Sequence, residues 1–169
     1  MATLVYVGLG SNLGHPRRHL ARAATELARL PRTSLLALSR NCLSAPLGCA
    51  EPQPDYVNAA AALRTGLGPR PLLARLRAIE RRHGRPRHRA DKRNAPRTLD
   101  LDVLLFGRRR SHLRGLTLPH PRMHERAFVL KPLLEIAPAA RIPGRGSAKQ
   151  WLRRTRGQRV VRTRTHAWR

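Results

Sequence analysis

The sequence predicts an α+β fold, a ferredoxin-like βαββαβ core in which an antiparallel sheet carries flanking helices and mobile substrate loops. Two observations predict it. Strand-like and helix-like segments follow one another in the order strand, helix, strand, strand, helix, strand, without internal repeats. At 169 residues the chain suits a single domain over 1–169, able to bury about 70 % of its unfolded surface without disulfides or metals.

Leu4, Val5, Tyr6, Val7 and Leu9 make an apolar run of strand length. Gly8, Gly10 and Gly14 read as a glycine-rich turn leading through Pro16 into a helix. There Leu20, Ala23, Ala24, Leu27 and Leu30 recur at helical spacing until Pro31 stops them. Residues 34–43 are β-prone, and a loop rich in Pro and Gly runs from Ala45 to Pro54. Residues 56–63 form the next strand, although their alanines also permit a helix. Leu72, Leu73, Leu76 and Ile79 mark a second helix, opened by Pro69 and Pro71 and closed at Gly84. Residues 81–97 are rich in Arg, hold too little apolar surface to fold alone, and are expected to form a mobile loop. A strand over 99–106 follows, then a short arm around Leu113 to Leu118, Pro119, and a helix over about 125–136. From about 141 the chain is a basic tail with Trp151, Leu152, Val160, Val161 and Trp168 to anchor it.

A net charge of +26 invites a nucleic-acid partner, since such a surface gains affinity for phosphate backbones by counterion release. Composition argues otherwise. Of the 35 Lys and Arg only Lys92, Lys131 and Lys149 are lysine, a skew that a GC-rich genome produces without a partner. Aromatics make up 4 %, too few to serve as stacking platforms for single strands. A basic nucleic-acid-binding module on a ferredoxin-like sheet is the alternative class, and it leaves the acidic pair described next without a role. Cys42 and Cys49 are expected to be free thiols of a reduced, cytoplasmic protein. The N-terminus lacks a secretory pattern and no apolar run approaches about 18 residues, so no membrane partner is expected; the expected state is a monomer.

Asp100 and Asp102 stand two apart inside an apolar run. On a strand they share one face, with Leu101 and Val103 on the other. Two like charges so close raise each other's pKa, and a hard cation such as Mg2+ resolves the conflict by taking carboxylates together with phosphate oxygens. Arg97 and the basic segment before it suit those phosphates. Gly8 to Gly14 lacks both the glycine spacing and the following acid of a dinucleotide fingerprint, and no P-loop is present. Tyr56 and Asn58, also two apart, could offer a ring and an amide to one flat heterocycle. His120, Arg126 and Phe128 place an imidazole, a guanidinium and a second aromatic in one region.

Together these pieces resemble the 6-hydroxymethyl-7,8-dihydropterin pyrophosphokinase family of folate biosynthesis. The signature runs from Arg93 through Asn94, Ala95, Pro96, Arg97, Thr98 and Leu99 to Asp100, Leu101, Asp102, Val103 and Leu104. Further matches are Gly10 to Leu13, Ala45 to Gly48, Pro54 to Ala60, Ile79 and Glu80, Leu118 to His120, and Arg126 to Leu130. The resemblance implies transfer of pyrophosphate from the co-substrate ATP to the pterin, with AMP left behind. It implies two Mg2+ ions on Asp100 and Asp102, and phosphate clamping by Arg85, Arg87 and Arg97. It implies a pterin pocket of Ser44, Ala45, Leu47, Tyr56, Asn58 and Phe128. ATP contacts are implied for Leu73, Arg77, Glu80, Arg87, Arg97, Val103, Thr117, His120 and Arg126. The chain departs from the family pattern at Asn94, where many members carry Trp, and at Gly115, where an arginine is expected and Arg114 lies one place off.

Overall fold

Alternation in the first strand decides how the molecule is layered. In β1 (Thr3–Ser11), Val5, Val7 and Leu9 are buried on one face, while Tyr6, Gly8 and Gly10 occupy the other. The computed structural model describes residues 1–49, 51–84 and 95–166. After β1 come α1 (Pro16–Ala28), β2 (Thr33–Leu38), β3 (Arg40–Ser44), β4 (Tyr56–Thr65), α2 (Pro69–Arg82) and β5 (Asp100–Phe106). They are followed by β6 (Ser111–Leu113), β7 (Leu116–Leu118), α3 (Ala127–Ile136), β8 (Arg141–Ile142), β9 (Gly146–Ser147), α4 (Ala148–Arg154) and β10 (Val160–His166).

The main sheet has the order β10-β3-β4-β1-β5, with β2 also paired to β4, and every pairing is antiparallel. The core helices α1 and α2 lie on one face, where Leu20, Leu27, Leu72, Leu76 and Ile79 pack on Val5, Val7 and Leu9. This is the expected ferredoxin-like arrangement. The opposite face is covered by α3 and α4, through Leu130, Leu133 and Ala148 against Ala60 and Leu104.

Several elements differ from the sequence reading. Gly8 and Gly10 belong to β1, so the turn into α1 begins only after Ser11. The alanines of β4 form strand because β1 pairs along one side and β2 and β3 along the other; tertiary pairing overrides their weak β-propensity. The β-prone stretch 34–43 is two strands broken at Ser39, whose N–H donates to Ala60 O and whose hydroxyl accepts the Ala60 N–H, both at 2.9 Å. The helix expected over 125–136 starts at Ala127, after a 3-10 turn over Met123–Glu125.

The basic tail holds elements that the sequence reading left unassigned. It folds into β8, β9, α4 and β10, and β10 completes an edge of the main sheet by pairing with β3. Trp168 lies outside the described residues.

Candidate active site

The floor of a cleft is built by three strands. Asp100, Asp102 and Leu104 occupy one face of β5, and the register sets Asp100 opposite Gly10 and Asp102 opposite Gly8. Gly10 in turn pairs with Asn58, and Asn58 with Cys42, so one row crosses the sheet from carboxylate to amide. The two glycines keep this floor low. A Cβ at Gly10 would stand 3.4 Å from Asn58 Oδ1, and one at Gly8 3.3 Å from a Leu104 methyl. The resulting cleft encloses about 460 Å3, within the range of small-ligand sites.

One end of the cleft is suited to a flat, polar ring. Asn58 is 4 % exposed, and its Nδ2 donates to Ser44 Oγ at 2.8 Å. That bond fixes the amide orientation and leaves Oδ1 toward Gly10. Tyr56, Ala45, Leu47, Cys49 and Phe128 line the same end. Burial raises the Tyr56 pKa despite the pull of Arg97, and its hydroxyl has two acceptors in range, Gln53 Oε1 at 3.2 Å and Ala95 O at 3.3 Å. The Arg126 guanidinium lies 5.7 Å from the Phe128 ring centroid, a cation–π distance.

The other end is charged. Arg97 Nη1 donates to Asp100 Oδ2 at 2.7 Å. Burial opposes the Arg97 charge, but Asp100, Asp102 and Tyr56 outweigh it and the net shift is upward. Burial and the like charge of Asp100 push the Asp102 carboxyl up to about 7, against Arg97 and Arg126, with Glu80 adding to the rise. Its side chain is still 42 % exposed to the open cleft, so the group is deep but not sealed. Arg126 shifts downward, first through burial and then through Arg122. His120 is pushed down to about 4 by burial and by Arg126, so it is neutral at neutral pH. The Arg122 N–H donates to His120 Nδ1 at 3.2 Å, which leaves the ring proton on Nε2. That atom lies 3.7 Å from Asp102 Oδ2, beyond direct hydrogen-bond reach.

Among the described residues no group of three or more His, Cys, Asp and Glu is placed to hold a metal. A carboxylate pair beside open space is nevertheless the donor set that Mg2+ uses when substrate phosphates and water complete its shell. Burial raises Asp102 most, and the like charge of Asp100 that adds to it is a conflict a divalent cation relieves.

Eleven of the residues named from sequence therefore line one cleft: Ser44, Ala45, Leu47, Tyr56, Asn58, Arg97, Asp100, Asp102, His120, Arg126 and Phe128. Five do not. Val103 faces the α2 side of β5 and is 5 % exposed, and Leu73 packs at the edge of the same core. Glu80 is 7 % exposed and accepts the Leu101 N–H at 2.8 Å, so one of its carboxylate oxygens holds β5. Arg77 Nη2 donates to Gly115 O at 3.5 Å, and Thr117 sits on β7. Arg114 is exposed at the turn between β6 and β7. Arg85, Arg87 and Asn94, with most of the expected mobile loop, lie outside the described residues.

Sequence reasoning missed Asn12 as a clasp. It is 2 % exposed; its Oδ1 accepts the Arg97 N–H at 2.8 Å, and its own N–H donates to Arg97 O at 3.0 Å. Its Nδ2 donates to Gln53 Oε1 at 2.8 Å and Pro54 O at 3.1 Å. Three segments distant in sequence meet on one side chain. Its place in the matched stretch Gly10 to Leu13 was the available signal. The aromatics Tyr56 and Phe128 both face the cleft, so they do not offer the open stacking surface that a nucleic-acid module needs.

A family model described as 7,8-dihydro-6-hydroxymethylpterin-pyrophosphokinase (HPPK) matches residues 6–138. A 2-amino-4-hydroxy-6-hydroxymethyldihydropteridine pyrophosphokinase of Pseudomonas aeruginosa is 50 % identical over 143 residues, 85 % of this chain and 86 % of that protein. The protein of the same name in Haemophilus influenzae is 46 % identical over 132 residues, 78 % of this chain and 80 % of its own. A crystal structure of Plasmodium falciparum HPPK-DHPS with pterin and p-hydroxybenzoate superposes with a TM-score of 0.68 at 11 % identity. The alignment covers 91 % of this chain and 43 % of that one, so this chain spans less than half of its length, and the likeness is one of fold.

Proposed function

The chain belongs to the 7,8-dihydro-6-hydroxymethylpterin-pyrophosphokinase family, and from that premise we propose how its cleft carries out the reaction. It is a pyrophosphokinase of folate biosynthesis that transfers pyrophosphate from ATP to 6-hydroxymethyl-7,8-dihydropterin. The pterin hydroxymethyl oxygen attacks the β-phosphorus, the bond from that phosphorus to the oxygen bridging it to the α-phosphate breaks, and AMP leaves.

The observation that carries the reading is the row Asp100, Gly10, Asn58 across the sheet, which joins a carboxylate end to a ring-binding end in one cleft. Asn58, its orientation held by Ser44, reads the edge of the pterin, and Tyr56 and Phe128 bound its faces. Arg97 and Arg126 meet ATP phosphates, a task suited to guanidinium because it stays charged and can donate two parallel bonds. His120, neutral with its proton on Nε2, donates to a phosphate oxygen without adding charge. Arg85 and Arg87 extend the phosphate clamp. The nucleoside end leaves the cleft over edge strand β5 toward Arg77 and Thr117, with Leu73, Glu80 and Val103 serving as the wall behind it.

Asp100 and Asp102 would hold Mg2+, two ions in this reading, and bound metal would neutralise charge on the phosphates as the bond to AMP breaks. The residues of the chain contribute mainly alignment and electrostatics, and no protein base is required. The chain acts as a single-domain monomer in the cytoplasm. No helix of the described residues is long and apolar enough to cross a membrane, and Cys42 and Cys49 are free thiols. The test is incubation with ATP, Mg2+ and the reduced pterin. AMP released only when the pterin is present supports the reading, and well-folded protein that releases none sinks it.

A further inference from the structure

The helix that carries Phe128 begins without a cap of its own. At the start of α3, Arg126 is the residue before the first helical position, with φ −119° and ψ 105°, and its side chain makes no capping bond. The first N–H groups of a helix have no partner inside it, yet the Ala127 N–H donates to Gln158 Oε1 at 2.9 Å. The other end of the same amide, Gln158 Nε2, donates to Glu125 O at 2.7 Å. One side chain thus holds the backbone on both sides of Arg126.

Gln158 is itself held. Its N–H donates to Thr155 O at 2.9 Å, Thr155 is 7 % exposed, and the Thr155 hydroxyl donates to Leu152 O at 2.8 Å at the end of α4. Two residues on, Val160 O accepts from Lys131 Nζ of α3 at 2.6 Å, and Val160 pairs with Ser44 in the sheet. Val160 and Ala127 are buried together with Cys42, and Phe128 packs against them. The turn between α4 and β10 therefore braces the two walls of the cleft, Ser44 on β3 and Arg126 with Phe128 on α3. Gln158 also lines the cleft. Leu152, Thr155, Gln158 and Val160 lie beyond the span 6–138 that the family model matches, whereas the helix and strand they hold lie within it.

We propose that Gln158 is a positioning residue: it caps α3 from a distance and fixes Arg126 and Phe128 so that phosphate and pterin are gripped in register. The proposal rests on the pyrophosphokinase reading above and extends it to the C-terminal segment. Gln158→Met keeps the volume and removes both bonds; Gln158→Glu keeps the acceptor for Ala127 but sets a carboxylate against Glu125 O. The measurements are KM for ATP and for the pterin, kcat, the melting temperature, and exchange of the Ala127 amide by NMR.

In Gln158→Met both KM values should rise about five- to tenfold, the scale of losing such bonds at a binding wall, while kcat stays within about twofold. Gln158→Glu should fall between wild type and Gln158→Met in KM, and Ala127 exchange should quicken in Gln158→Met. A Gln158→Met protein that is folded at the assay temperature with both KM values unchanged overturns the proposal, whatever its melting temperature. If the wild type releases no AMP, the enzyme reading fails separately. Ala127 exchange then decides the clasp alone: faster exchange in Gln158→Met supports it, and unchanged exchange refutes it.

Discussion

Replacing Asn12 by alanine removes one side chain and loosens three segments of the cleft at once, leaving in place the backbone bonds to Arg97 O. The lost bonds are those to the Arg97 N–H, to Gln53 Oε1 and to Pro54 O. At about 0.5–1.5 kcal/mol each, and with the Arg97 N–H left part-buried, the loss comes to roughly 2–4 kcal/mol. For a chain of 169 residues that predicts a fall in melting temperature of roughly 5–15 °C. Arg97 also loses its registration against Asp100, so kcat/KM for ATP should drop about tenfold or more in protein that is still folded. The assay pairs a thermal melt with steady-state kinetics well below the lower melting point. Asn12→Asp, which keeps an acceptor for the Arg97 N–H but loses both donors, should fall between. An Asn12→Ala protein that melts within about 1 °C of wild type and keeps its kcat/KM would refute the reasoning.

Other outcomes follow from the same geometry. Gly10→Val fills the floor beside Asn58 Oδ1 without a backbone conflict, so pterin affinity should fall more than about tenfold while the melting temperature holds; unchanged pterin binding by calorimetry would remove Gly10 from the site. With the Asp102 carboxyl at about 7, Mg2+ must displace a proton below that pH. Apparent Mg2+ affinity should therefore weaken by up to about tenfold per pH unit on the acid side and level off above it, and a flat profile between about pH 6 and 8 contradicts a carboxyl raised by burial and by Asp100. Glu26 pairs with Arg82 and His83; burial alone would raise its pKa, but these partners outweigh it and the net shift is downward. A lowered folded pKa gives stability that is present above the ordinary value of 4.5 and lost as pH falls below it. Urea melts of Glu26→Gln should thus show a deficit at pH 7 that shrinks toward about pH 3, and a deficit independent of pH would count against the pairing.

Asp100 and Asp102 were legible because a two-residue spacing on a strand fixes a shared face whatever the rest of the fold does. The glycines of β1 were not. Gly in a strand interior costs entropy and packs nothing, so Gly8 and Gly10 resemble a turn until the opposing Asn58 and Leu104 show that open space is what their positions supply. The C-terminal segment was hidden for a related reason. β10 is an edge strand, and edge strands are often charged because charge blocks unwanted pairing. Its hold on the fold comes from backbone pairing with β3, the bond from Lys131 and the burial of Val160 alone among its described side chains, which leave no apolar periodicity to read. Asn12 and Gln158 act through hydrogen bonds to residues far along the chain, and contacts of that kind have no local pattern. Glu80, matched by its sequence to a nucleotide contact, also accepts the Leu101 N–H, a bond across the fold that no local pattern reveals.

The most direct test of the central claim follows the phosphates of ATP in parallel reactions with the reduced pterin and Mg2+, labelled at the α- or the γ-phosphate. The account predicts α-label in AMP and γ-label on the pterin, in equal amounts, with both lost in Asp102→Asn. Label leaving as ADP or inorganic phosphate, or AMP formed without a labelled pterin, would contradict it.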